Sequence, residues 1–168
     1  MNAVLAYERK LYFKDTKDYL TAMVTHEDNY LIWKYMTYLR REEAAKCKLT
    51  AYFWRRKKNN LGSRLGLQVY AGTCARGLHI WHYGSVIISG DAAVGENCTI
   101  HGQACIGSDG ASDAAPVLGK NVDIGVGARI IGGVTLADNI RVGAGAVVVK
   151  SCETPGATLV GVPAGPVK

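Results

Sequence analysis

The chain has 168 residues, of which 48% are hydrophobic and 20% charged, and a formal net charge of +6. That composition excludes a disordered polymer and gives one domain, or a domain with an appendage. No apolar run approaches the ~18 residues of a membrane span, and the start, Met1 to Lys10, lacks the n-region and h-region of a signal peptide. The five cysteines are odd in number and show no metal-type spacing. The expectation is a cytoplasmic protein.

Charge is placed unevenly. Residues 1–66 hold 14 Lys/Arg against 7 Asp/Glu and 11 of the 14 aromatic residues, whereas residues 67–168 hold 6 against 7. The shift predicts two regions, an N-terminal helical region over 1–65 and a second domain over 66–168. In the first, the polar break from His26 to Asn29 starts an amphipathic helix carrying Tyr30, Leu31, Trp33, Tyr35, Met36, Tyr38 and Leu39. A second helix is expected from Glu42 through Trp54. The run Arg55-Arg56-Lys57-Lys58 then precedes a turn signal, Asn59-Asn60-Leu61-Gly62. It reads as a solvated helix end, where the helix dipole favours cations. The alternative is peripheral contact with an anionic membrane face, helped by Tyr52, Phe53 and Trp54. No nucleic-acid motif accompanies the charge, so no nucleic-acid partner is expected.

From Ile88 the sequence carries a six-residue period. Ile88, Val94, Ile100, Ile106, Ser112, Leu118, Ile124, Ile130, Leu136, Val142, Val148, Thr154 and Val160 fall on it, and eleven of these thirteen are Ile, Leu or Val. Neither a helix nor a simple strand has this period. A sustained hexapeptide repeat predicts a solenoid of short strands and tight corners, with three hexapeptides per coil. About five coils are expected between Tyr70 and Val160. Residues four past each repeat position, such as Ala92, Cys98, Ala104, Val122, Ala128 and Ala146, are small or β-branched. Cys74, Cys98 and Cys152 share that slot and read as small buried side chains.

The segments Val94-Gly95-Glu96-Asn97-Cys98-Thr99-Ile100, Ile124-Gly125-Val126-Gly127-Ala128-Arg129-Ile130 and Val142-Gly143-Ala144-Gly145-Ala146-Val147-Val148, with the ending Gly161-Val162-Pro163-Ala164, resemble the hexapeptide-repeat acyltransferases. Gly77-Leu78-His79-Ile80-Trp81-His82-Tyr83-Gly84 resembles the motif before the first complete coils of the serine acetyltransferases and their sugar-modifying relatives. The resemblance implies a mainly β fold, a left-handed parallel β-helix, against the usual right-handed crossover rule. It further implies a homotrimer with acetyl-CoA sites between subunits.

His82 aligns with the general base of that group. It also falls on the repeat phase, where an aliphatic residue is expected, so it is either satisfied in the interior or sits where the coil opens. A hydroxyl cannot attack a thioester unaided, and a neutral imidazole suits the removal of its proton. His101, one coil on, takes a slot where Gly usually sits and is the second catalytic candidate; His79 is a weaker one. Three histidines raise a zinc alternative, but the wider spacing of the zinc members of this fold is absent and no metal is expected. No sequence cue activates Cys98 or Cys105 for covalent catalysis.

The segment from Ile106 to Leu118 interrupts the repeat and predicts a loop. In the resembling family the equivalent loop overhangs the active site, which makes Ser108 and Asp109 acceptor-binding candidates. His82, His101 and the loop around Ser112 are expected at one end of the solenoid. For the cofactor, the resemblance points to Gly125, Gly127, Ala128, Gly143, Ala144 and Lys150.

The acceptor departs from the serine pattern. Trp81 replaces the Asp that precedes the family's base, Ala114-Ala115 replaces the Arg-His pair before Pro116, and Gly66-Leu67-Gln68-Val69 has no carboxylate to orient the base. Charge-assisted contacts are not easily replaced, and Trp81 and Tyr83 suit the apolar face of a sugar. The expectation is an acetyl-CoA-dependent O-acetyltransferase acting on a sugar or polysaccharide precursor, of the capsular or exopolysaccharide kind. Serine O-acetylation is the alternative; N-acylation of an amino sugar and a non-catalytic scaffold are lesser ones.

Overall fold

The computed structural model describes residues 3–167. Four helices come first: α1 (Ala3–Tyr12), α2 (Thr16–Thr25), α3 (Asp28–Glu43) and α4 (Lys48–Leu65). Asp15 caps α2 by accepting the Asp18 N–H at 2.8 Å. The central helix α3 buries Ile32, Trp33, Tyr35, Met36 and Leu39 against its neighbours.

The second long helix differs from the expectation. It begins at Lys48 rather than Glu42 and runs through the Asn59 to Gly62 turn signal as far as Leu65. Gly62 serves close packing instead of a turn. A Cβ there would lie 2.9 Å from the Tyr35 ring and collide with the Leu67 carbonyl. The turn falls to Gly66, whose φ of 67° lies in the left-handed region and whose N–H caps α4 on the Gly62 carbonyl. Gly62→Ala is therefore expected to destabilise the protein by about 1–3 kcal/mol through overpacking, although alanine favours an exposed helix by about 1 kcal/mol. Urea denaturation measures the sign.

The basic run is likewise not a helix end. Arg55 and Lys58 both meet the buried Glu42 carboxylate, at 2.7 and 3.0 Å, and Lys58 donates to the Val69 carbonyl at 2.8 Å. Of the four, Arg56 and Lys57 are exposed and make no ion pair among the described residues. No helix among the described residues is long and apolar enough to cross a membrane.

After Gly66 the chain winds through three sheets in turn. The first joins β1 (Leu67–Gln68), β3 (Val86–Ile88), β6 (Cys105–Gly107), β9 (Arg129–Ile131) and β12 (Val147–Val148). The second joins β4 (Ala93–Val94), β7 (Val117–Leu118) and β10 (Thr135–Leu136). The third joins β2 (His79–Ile80), β5 (Thr99–Ile100), β8 (Asp123–Ile124), β11 (Arg141–Val142) and β13 (Thr158–Gly161), with β14 (Ala164–Pro166) added antiparallel. Every other pairing is parallel, so the domain is a parallel β-helix, not a stack of hairpins. Ile88, Ile106, Ile130 and Val148 form one interior column, and Ile100, Ile124 and Val142 another. Gly95, Gly119, Gly125 and Gly143 are imposed by stacking, because a Cβ on any of them would press into the next coil.

The six-residue phase fails at both ends. Leu159, not Val160, enters the interior of the last coil, and Thr154 is exposed. At the start, Ile80 pairs with Ile100 across 20 residues instead of the regular 18, so Ile80 takes the interior place. The two extra residues bulge outward at the corner after β2 and carry His82 with them. His82 is exposed, which decides between its two sequence readings in favour of an opened coil.

Candidate active site

The third sheet presents His79, Trp81, His101 and Asp123 on its outer surface, because each lies one residue from an interior Ile at 80, 100 or 124. His101 Nε2 meets Asp123 Oδ1 at 2.7 Å. The Trp81 ring lies parallel to His101, with centroids 6.0 Å apart and planes 2° apart. Trp81 also approaches His79 at 5.0 Å, and Tyr12 of α1 meets the other side of His79 edge-on at 4.9 Å. The result is a row of rings from α1 to Asp123.

Trp81 remains 51% exposed and Tyr83 is exposed beside it. His82 stands next to Gly102, where a Cβ would come within 3.3 Å of the His82 Cβ. Gly102, with φ 127°, thus clears space for the histidine. Among the described residues His82 has no hydrogen-bond, ion-pair or ring partner. The carboxylate in this neighbourhood orients His101 instead. Asp123 was not singled out in the sequence; the signal was its place directly before an interior Ile one coil beyond His101.

Burial holds the His79 pKa below the ordinary imidazole value, and the nearby His101 lowers it further. A depressed imidazole pKa means that the unfolded chain binds the proton more readily than the folded one. The neutral form therefore favours folding above about pH 6.5, and this contribution is lost as pH falls below it. His79→Gln is expected to flatten the fall in melting temperature between pH 7 and 5, as followed by circular dichroism.

Other candidates are not brought together. The loop over 108–115 leaves the corner between the first and second sheets, whereas His82 lies at the corner between the third and the first. His82 and the loop thus lie in early coils of the solenoid but at different corners of it. The Asp109 carboxylate accepts the Ala111 and Ser112 N–H groups at 3.0 and 3.1 Å, which hold its pKa below the ordinary carboxylate range. It shapes the loop, which folds back over Gly132 and Gly133; Ser108 is exposed.

Of the cofactor candidates, Ala128 is fully buried in the core and offers no surface to a ligand, which corrects that assignment. Gly125 and Gly143 are explained by coil stacking. Gly127 and Ala144 do face an accessible corner, with Gly145 open beside them. Lys150 is exposed beyond the far end of β12 and is not part of that corner.

Cys98 is buried, and burial pushes its thiol up to about 11, unfavourable for a nucleophile. Cys74 is buried too, while Cys152 is only partly so. Among the described residues no three His, Cys, Asp or Glu side chains gather as a metal-holding group.

No family model matches the chain. It is 27% identical over 133 residues to a serine acetyltransferase of Buchnera aphidicola, covering 72% of this chain and 51% of the relative. It is 33% identical over 102 residues to a serine acetyltransferase of Helicobacter pylori, covering 59% of each. The chain therefore spans between half and two thirds of the length of these relatives. Among solved structures it resembles the Neisseria gonorrhoeae serine acetyltransferase in complex with serine, with a TM-score of 0.74, 25% identity and coverage of 98% of this chain and 68% of the other. The soybean serine acetyltransferase apoenzyme gives a TM-score of 0.68 at 25% identity, over 83% of this chain and 58% of the other.

The fold is thus that of the left-handed β-helices of hexapeptide-repeat proteins. Within that class, the likenesses run to serine acetyltransferases. They give no support to the capsular or exopolysaccharide branch.

Proposed function

We propose that the chain is an acetyl-CoA-dependent O-acetyltransferase in which His82 is the general base. The carrying observation is the likeness to serine acetyltransferases over 98% of the chain, which includes the coil bearing an exposed, unpartnered His82. In this reading His82 takes the proton of the acceptor hydroxyl as its oxygen attacks the thioester carbonyl. The tetrahedral oxyanion then collapses, the CoA sulfur leaves, and the imidazolium returns the proton to it. The oxyanion needs N–H donors in a water-poor site. A corner open in one chain suits walls supplied by neighbouring copies, and the exposed Ile87, Val117, Val126 and Val149 support a homotrimer that covers them. The accessible corner at Gly127 and Ala144 leaves room for a thin pantetheine arm of acetyl-CoA.

Free serine is the acceptor the relatives favour, in place of the sugar expected from sequence. A sugar hydroxyl is the second reading, favoured by the half-exposed Trp81 beside His82 and by uncharged Ala114 and Ala115 in the loop. Thiol release from acetyl-CoA is expected with L-serine. Release with sugars and none with serine moves the assignment to the second reading. No acetyl-CoA binding at all would return the chain to the scaffold class and end the proposal.

A further inference from the structure

The groove between α3 and α4 is lined by eight residues, among them Lys34, Tyr38, Phe53, Arg56, Lys57 and Arg64, and has a volume of about 380 Å³. That size lies within the range of small-molecule sites. Four of the eight lining side chains are cationic, and no carboxylate lines the groove. The helix α4 contains no Asp or Glu at all. Of the carboxylates on α3, Glu42 is committed to Arg55 and Lys58 and Glu43 to Arg40, while Asp28 stands in its first turn. Among the described residues none of Lys34, Arg56, Lys57 and Arg64 makes an ion pair.

The two lysines are placed by aromatic faces. Lys57 Nζ sits 5.0 Å from the Phe53 centroid and 6.0 Å from that of Tyr38, and Lys34 Nζ sits 5.9 Å from Tyr30. A ring positions an ammonium without neutralising it, so the groove keeps its full positive field. Like charges held together in a concavity repel one another and concentrate counter-ions. An anion with two or more charges relieves that repulsion, and guanidinium and ammonium donors together match phosphate oxygens.

We propose that this groove is a binding site for a diphosphate or similarly multivalent phosphate ester, separate from the site around His82. The proposal does not rest on the acetyltransferase reading. Its test uses the full chain at low and at physiological salt, with inorganic pyrophosphate and UDP followed by calorimetry, and phosphatidylglycerol vesicles followed by co-sedimentation. The double variant R56Q/K57Q removes two exposed groove cations, and K14Q/K17Q removes the same charge from exposed positions on another surface. Binding of pyrophosphate or UDP that weakens at least ~10-fold in R56Q/K57Q, and stays within about two-fold in K14Q/K17Q, is the expected result and identifies a soluble ligand. The same variant pattern with vesicles alone identifies a lipid phosphate as its source. Equal weakening in both variants, or no binding to any probe, overturns the proposal. So does a change of oligomeric state in R56Q/K57Q without anion binding, which would assign the groove to a contact between copies. Acetyl transfer, measured in parallel, is expected to be unchanged in R56Q/K57Q, so failure here and failure of the enzymatic reading are read separately.

Discussion

His82→Ala is expected to lower acetyl transfer by about 10²- to 10⁴-fold, the usual contribution of a positioned general base. The fold should be untouched, because the side chain is exposed and contacts no partner among the described residues. Acetyl-CoA binding should therefore persist while turnover falls. His101→Ala and Asp123→Asn supply the internal comparison. The 2.7 Å contact between His101 and Asp123 is the ordered imidazole–carboxylate pair of this surface, and a charge-assisted hydrogen bond is worth about 1.5–3 kcal/mol, or roughly 10- to 100-fold in rate if it matters only in the transition state. If His82 is the base, its loss exceeds that of either member of the pair. A His82→Ala protein with full activity, beside an inactive His101→Ala protein, would transfer the role of base to His101. Asp123 would then be its positioning residue.

The comparison matters because the two histidines reach the surface for different reasons. The interior of a narrow coil demands a large aliphatic side chain at a fixed interval, which is why the repeat and the parallel winding were legible from Ile88 onward. That demand says nothing about residues outside the regular spacing. His82 looked like an interior position because it lies six residues before Ile88, yet the coil there is two residues longer and Ile80 fills the interior. Asp123 was hidden by a larger insertion of the same kind. The loop between Ile106 and Leu118 stretches the spacing of Ile100 and Ile124 to 24 residues, so the carboxylate is not found by counting 18 from His101. The helical region was less legible still. Asn59 to Gly62 has the composition of a turn, but tertiary packing of Gly62 on Tyr35 and Leu67 overrides it. Glu8 and Arg40, both on helices, are among the most buried polar side chains of the described residues, and no pattern in the sequence singles them out.

That buried pair is expected to give the largest loss of stability from a single substitution. Arg40 Nε lies 3.1 Å from both Glu8 oxygens, and one terminal nitrogen donates to Glu8 at 2.8 Å. The remaining donors reach Glu43 and the Cys74 carbonyl at 2.8 Å and the Ala75 carbonyl at 2.7 Å. All five guanidinium N–H groups are therefore satisfied. Glu8 in turn accepts the Gly77 N–H at 2.8 Å, and Tyr12, one turn further along α1, accepts the Ile80 N–H at 3.1 Å. Helix α1 thus holds the backbone of the coil that leads directly into Trp81 and His82. Glu8→Ala leaves a buried guanidinium without its main counter-charge, which costs about 3–5 kcal/mol. Denaturant unfolding at fixed protein concentration measures the loss. The double variant E8L/R40M removes both charges and is expected to recover most of it, since two buried apolar groups carry no unpaired charge. Arg40→Lys should not rescue, because a point ammonium cannot serve Glu8, Glu43 and two carbonyls at once. If Glu8→Ala costs less than about 1 kcal/mol, the range of a surface ion pair, the helices do not anchor the first coil in this way. Where Glu8→Ala does carry the larger cost, acetyl transfer at a temperature where the variant remains folded separates anchoring from stability, since a coil freed from α1 carries a misplaced His82 even in a folded chain.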